Sequence, residues 1–159
     1  MDLIGKTTIN PVLFYTGKIS GYITWILLIL QHTDIYFFVF EGFRYHSQIY
    51  VSYLLAGLAI VLIIISLFNL GKSTRLGLPN NDTKLKTKGL YKISRNPMYL
   101  GFNLLTISSM IYILNLTIVF LGFYSILTYH MIIKAEERFL EQRFCVDFLK
   151  YKSETRRYI

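Results

Sequence analysis

Cysteine is almost missing from this sequence: Cys145 stands alone among 159 residues. One thiol excludes a disulfide framework and a cysteine metal centre, and it fits a reducing cytosolic face. Histidine is scarce as well, with His32, His46 and His130 far apart and no clustered His, Cys or carboxylate spacing, so no metal site is expected. Acidic residues number only nine against seventeen Lys and Arg, for a net charge of +8. The N-terminal MDLIGKTTINP lacks the cationic start, apolar core and small-residue cleavage site of a signal peptide, so the apolar segments are expected to stay in the mature protein. There is no internal repeat and no low-complexity segment.

What the sequence has in abundance is apolar surface. Hydrophobic residues make up 53% of the chain, too many for an ordinary soluble domain of this charge content. From Ser47 to Leu70 no charged residue occurs, which is enough for a bilayer that needs about 20 residues. A first span is expected at about residues 19–40, although Gln31, His32, Thr33 and Asp34 interrupt it, and Pro11 to Leu30 is the alternative. Beyond a Gly-, Pro- and Asn-containing loop from Gly71 to Arg95, the stretch Asn96 to Lys134 is too long for one crossing. It reads as a tight helical hairpin joined near Asn115, with spans at about 97–114 and 116–133. The tail places Phe139, Leu140, Phe144 and Phe148 at helical spacing, which predicts an amphipathic helix on the membrane surface.

The basic residues follow this plan. Seven lie in Gly71 to Arg95 and seven in Lys134 to Arg157, the others being Lys6, Lys18 and Arg44. Four spans with both termini cytosolic put 16 of the 17 on one side, as the positive-inside rule requires. No groove-binding patch for nucleic acid is formed. The chain thus reads as a single all-α integral membrane domain over residues 1–159, multi-pass, and in the inner membrane if the source is bacterial.

Two polar clusters are brought together by the hairpin: Gly89 to Gly101, GLYKISRNPMYLG, and the pair Glu136-Glu137. Each has a purely structural explanation. Asn96 is a preferred N-cap, Pro97 suits a first helical turn, Gly89 closes a turn, and the two glutamates beside Lys134 and Arg138 suit a solvated helix end.

Taken together, however, G-L-Y-x-x-S-R-N-P-M-Y-L-G, about 25 further apolar residues, A-E-E-R-F-L-x-x-x-F-x-x-x-F-x-x-Y and a closing T-x-R-Y-I resemble the isoprenylcysteine carboxyl methyltransferase and phospholipid methyltransferase superfamily. The resemblance covers about Leu70 to Ile159, and it is the compound pattern, not any one piece, that is specific. It implies a cofactor-binding part at about residues 70–159, with a cytosolic loop that binds S-adenosylmethionine. The binding residues it implies are Gly89, Leu90, Tyr91, Arg95, Asn96, Pro97, Tyr99, Glu136 and Glu137. Glu137 and Arg157 are the catalytic candidates, Arg157 matching a basic residue that would hold the acceptor.

The cofactor's chemistry suits these residue types. Arg95 is able to grip a carboxylate in bidentate fashion, the glutamates to accept from an ammonium or ribose hydroxyls, and Tyr91 or Tyr99 to stack on adenine or face the sulfonium. A carboxylate acceptor is already ionised at neutral pH and needs no base. An amine or thiol acceptor must lose a proton, for which His130, about a turn before Lys134, is the candidate; His32 and His46 fall near the opposite face. The acceptor implied is a lipophilic small molecule or lipidated group, isoprenylcysteine-like or a lipid headgroup.

The chain departs from the family pattern at Asn96, where His is commoner, at Cys145, where Gly usually follows Phe, and at Glu154, where a basic residue is frequent. The last departure weakens any transfer of substrate identity. Two other readings compete. An NADPH-dependent reductase of the sterol reductase type would carry an acidic residue where Phe102 stands, and a non-enzymatic scaffold would use the charges only to anchor helices to anionic lipid.

Overall fold

The computed structural model describes residues 7–30, 46–70 and 85–159. They form four α-helices: α1 Pro11–Leu30, α2 His46–Leu70, α3 Pro97–Ile113 and α4 Leu116–Glu154. The expected all-helical membrane architecture is present. α1, α2 and α4 are long and apolar enough to cross a membrane, and α3, with 17 residues, sits at the short end of the spanning range.

The first helix follows the earlier of its two possible placements. Asn10 accepts the Val12 amide through Oδ1 at 2.9 Å and Pro11 takes the first helical position, so the chain starts α1 at Pro11 and not near Ile19. Residues 31–40, expected to continue this span, lie outside the described residues, as does most of the loop from Gly71.

α3 and α4 form the predicted hairpin. Leu114 takes a left-handed conformation (φ 43°) that ends α3, and Asn115 caps α4 by accepting the Thr117 amide at 2.9 Å. The tail is helical, and α4 reaches Glu154 as two helical pieces joined at a kink at Cys145, where φ is 40° and ψ −111°. The bend turns Phe148 and Tyr151 inward, and Phe148 is only 1% exposed.

Consecutive helices pack antiparallel, and α1 runs parallel to α3, through small polar residues. Ser52 and Ser108 each donate to the other's backbone carbonyl at 2.8 Å, joining α2 to α3. Ser109 donates to the Thr24 carbonyl at 2.6 Å and the Trp25 indole to Thr106 Oγ1 at 2.9 Å, joining α1 to α3. In a bilayer such bonds replace water as partners and contribute about 1 kcal/mol each. Close approach is enforced at Gly101, where a Cβ would fall 3.0 Å from the Ala59 carbonyl and 2.7 Å from Ile63 Cγ1. The outer face of α2, with Leu54, Leu58, Val61 and Phe68 exposed, is left for lipid.

This arrangement gathers the Pro11 end of α1, the Leu70 end of α2, the Pro97 end of α3 and the polar half of α4 at one end of the bundle.

Candidate functional site

At that end, residues Gly89–Lys92 make a single 3-10 turn. Gly89 starts it with φ 66°, packed on the Asn69 side chain at the end of α2, a conformation and a proximity that leave no room for a Cβ. The Leu90 carbonyl then accepts the amides of Ile93 and Ser94 at 3.0 and 3.1 Å. Tyr91 is buried, and its carbonyl accepts the Tyr151 hydroxyl at 2.6 Å from beyond the Cys145 break.

The next residues pair with the C-terminal segment. Ser94 and Arg156 form a parallel bridge, with the Arg95 amide donating to the Arg156 carbonyl at 2.9 Å. Ser94 Oγ reaches the Arg157 carbonyl at 3.2 Å. Two stretches separated by the whole α3–α4 hairpin are therefore stitched side by side.

Glu137 sits at the centre of this stitch, only 5% exposed. Its Oε1 accepts Arg95 Nε and Asn96 Nδ2, both at 3.1 Å, and its Oε2 accepts Arg157 Nε at 3.0 Å and Nη2 at 2.8 Å. Arg95 also donates through Nη1 to the carbonyls of Lys152, at 3.2 Å, and Thr155. Burial on its own would raise the Glu137 pKa; the hydrogen bonds from Arg157 and Arg95 outweigh it and hold the carboxyl below its ordinary value. A buried carboxylate with two cations and an amide is thus an ionised, fully engaged hub. Asn96, expected as an N-cap, precedes α3 but spends its side chain on Glu137 and on the Arg157 carbonyl instead.

Glu136 differs. The Tyr99 hydroxyl donates to its Oε1 at 2.8 Å, and its Oε2 takes no hydrogen bond among the described residues. Burial pushes its pKa up to about 7, against the opposing effects of the Tyr99 hydrogen bond and the Lys18 charge. Tyr99 belongs to an aromatic cluster with Phe14, Phe102 and Tyr129. Pro97 is fully buried beneath it, at the first turn of α3. The two adjacent glutamates have separate environments because helical geometry turns them by about 100°.

The phospholipid methyltransferase family model matches residues 47–146, most of the chain. The protein belongs to this family. Its membership gives the broad activity, methyl transfer to lipid-type substrates, and agrees with the resemblance carried by the motif. No curated protein and no solved structure matches the chain. The phospholipid methyltransferase match begins at α2 and stops just beyond the Cys145 break, so α1 and the C-terminal segment fall outside it.

Arg157 is therefore beyond the match yet anchored to Glu137 within it. All the residues expected to bind cofactor lie in the loop, at the start of α3 or on the adjoining part of α4. His130 is partly buried, its Nδ1 lying 2.8 Å from the Tyr158 hydroxyl with the two rings stacked. Sequence reading missed Tyr151, Tyr158 and Lys18. Tyr151 and Tyr158 carried no signal beyond the tail motif, whereas Lys18 did: a lone cation inside an apolar helix is a marked position.

Proposed function

We propose that this protein transfers a methyl group from S-adenosylmethionine to a lipophilic acceptor, an isoprenylcysteine-like carboxylate or a lipid headgroup, at the cytosolic end of the bundle. The observation that carries this reading is the convergence of the Gly89–Gly101 segment and the acidic pair on one site in a chain of this family. The basic stretches Gly71 to Arg95 and Lys134 to Arg157 flank that end, which supports a cytosolic orientation with both termini inside.

The residues present suit the cofactor. Glu136 keeps Oε2 available to accept from an ammonium or a ribose hydroxyl, and Tyr99 and Tyr91 offer aromatic surface beside it. Bound there, S-adenosylmethionine would supply an electrophilic methyl group on a sulfonium cation. In this reading Glu137 and Arg95 hold the loop in place; each is already committed to the other, and Arg95 retains Nη2 outside the pairing. Arg157 likewise retains Nη1, on a side chain 32% exposed, as a donor toward an anionic acceptor. For an acceptor that must lose a proton, Glu136 Oε2 and the His130 ring are the candidate bases. The surrounding apolar walls exclude water from an in-line displacement that requires alignment above all.

Calorimetric titration of the detergent-purified protein with S-adenosylhomocysteine, with NADPH in parallel, tests the reading. Saturable binding of the former alone is expected. Binding of NADPH alone would move the protein to the reductases, and no binding of either by folded protein would favour the scaffold.

A further inference from the structure

Asn103 carries an oxygen that the fold leaves unpaired: its Oδ1 is buried and takes no hydrogen bond among the described residues. A polar atom orphaned inside an apolar bundle destabilises it, and lipid supplies no replacement donor. Leucine, of similar size, would suit α3 better at this position, so packing gives no reason for the amide.

Its position does. The Asn96–Glu137 hydrogen bond, at 3.1 Å, sets α3 against α4, and Met110 meets Gly122 where the same two helices approach their turn. Between these points, Asn103 stands seven residues along from Asn96, and His130 stands seven residues back from Glu137. Seven residues make nearly two helical turns, so each returns to the face of its starting residue about 10 Å deeper in the bundle. Asn103 and His130 are therefore level, one on each side of a single seam.

That seam is open to lipid. α3 turns Gly101 and Ser108 toward α2, Phe102 and Thr106 toward Trp25 of α1, and Tyr99 and Met110 toward α4. Its fourth side, with Leu100 and Ile107 half-buried, has no described helix packed over it, and helical geometry puts Asn103 at the border.

His130 reaches the seam with its ring already set. Its Nδ1 lies 2.8 Å from the Tyr158 hydroxyl and the two rings stack. A phenol donates more strongly than it accepts, so Tyr158 donates to Nδ1 and the imidazole keeps its own hydrogen at Nε2, which has no partner among the described residues. One level of the seam thus offers a donor, His130 Nε2, and an acceptor, Asn103 Oδ1. A hydroxyl satisfies both at once, whereas an ester oxygen only accepts and leaves Asn103 unpaired.

We propose that Asn103 and His130, the latter positioned by Tyr158, form a lipid-facing subsite that selects an acceptor bearing a free hydroxyl about two turns below the Asn96–Glu137 pair. The inference deepens the methyltransferase reading and rests on it for the role of acceptor; binding at the subsite requires no methyl donor. Two kinds of lipid carry a hydroxyl beside the headgroup: a single-chain glycerolipid and a sphingoid lipid. In this role His130 donates to the substrate, which leaves Glu136 as the candidate base.

The test is calorimetry on the full-length protein in detergent, with wild type, Asn103→Leu and Tyr158→Phe each first melted to show folding. Two short-chain pairs are titrated: lysophosphatidylethanolamine against the acyloxypropyl phosphoethanolamine that lacks only the hydroxyl, and N-acetylsphinganine phosphoethanolamine against its 3-deoxy counterpart. Wild type is expected to bind the hydroxylated member of a pair about tenfold more tightly, and the pair that shows this preference identifies the source. Asn103→Leu should bring the ratio near one while melting no lower than wild type, because it removes an orphaned group. Tyr158→Phe keeps the stacked ring, and should reduce the ratio and shift the His130 nitrogen resonances toward the other tautomer. A wild-type ratio near one in both pairs, a ratio unaltered in Asn103→Leu, or an Asn103→Leu that melts well below wild type overturns the proposal. S-adenosylhomocysteine is titrated separately: its failure to bind protein that keeps the hydroxyl preference would sink the methyltransferase reading and leave the subsite standing.

Discussion

Arg157 donates through Nη2 and Nε to a single carboxylate oxygen of Glu137, at 2.8 and 3.0 Å, and so fastens the end of the chain to the middle of the site. Glu137 keeps Arg95 and Asn96 when Arg157 is removed, so the hub is weakened and not abolished. Arg157→Ala is expected to lower stability by about 1.5–3 kcal/mol, the range for hydrogen bonds to a charged group. Arg157→Lys keeps the charge but not the fork and should fall between the two. Melting midpoints in detergent, with and without S-adenosylhomocysteine, provide the check. Unchanged midpoints in both variants would show that the C-terminal segment is a passive neighbour.

Tyr151 extends the same fastening to the loop, its hydroxyl meeting the buried carbonyl of Tyr91 at 2.6 Å. Tyr151→Phe preserves the ring and leaves that carbonyl without its partner, a cost of about 1–3 kcal/mol. Because the loss is local, amide exchange at Ile93 and Ser94, whose hydrogen bonds close the adjacent turn, should accelerate more than exchange in the middle of α3. Uniform acceleration across both regions would contradict a local role.

Cys145 occupies a backbone conformation, φ 40° with ψ −111°, that side chains with a Cβ rarely adopt. The break at this residue aims Phe148 and Tyr151 inward. Cys145→Gly should therefore stabilise the protein: relief of strain of about 1–3 kcal/mol exceeds glycine's cost of roughly 0.5–1 kcal/mol in backbone entropy. A lower melting midpoint for Cys145→Gly would show that the break is not strained by its side chain.

Much of this architecture was legible in advance because its signals are local. The uncharged run Ser47 to Leu70 and the turn at Asn115 depend on composition and capping chemistry that neighbouring residues alone supply. Asn10-Pro11 was equally local, and it outweighed the longer hydrophobic window that suggested a span from residue 19. The compound motif named residues that the fold brings to one end of the bundle, but it did not reveal how they bond to one another. Nothing near Asn96 reveals that its side chain bypasses the helix it precedes to reach Glu137, 41 residues away. The kink at Cys145 was hidden for a related reason: an amphipathic tail pattern is the same whether the helix runs straight or bends. The unequal roles of Glu136 and Glu137 depend on which helices flank each side of α4, a property of packing and not of sequence spacing.

That inequality predicts opposite responses to pH. Glu136 has a folded pKa near 7, raised from 4.5, so its contribution to stability is complete below about 4.5 and is lost as pH rises through 7. The displacement corresponds to roughly 3 kcal/mol between the two ends of that window. Glu137 has a lowered folded pKa, so its contribution is present above the ordinary carboxylate value and is lost only as pH falls through the lowered one. The wild type should then be most stable in mildly acidic solution and lose melting temperature from pH 5 to pH 8. Glu136→Gln should flatten that decline while leaving the acid limb intact. Glu137→Gln should do the reverse, costing stability at every pH above the carboxylate range because Arg95 and Arg157 lose their shared counter-charge. Melting curves of the three proteins across pH 3–8 distinguish these outcomes, and a decline above pH 5 that persists in Glu136→Gln would assign it to another group.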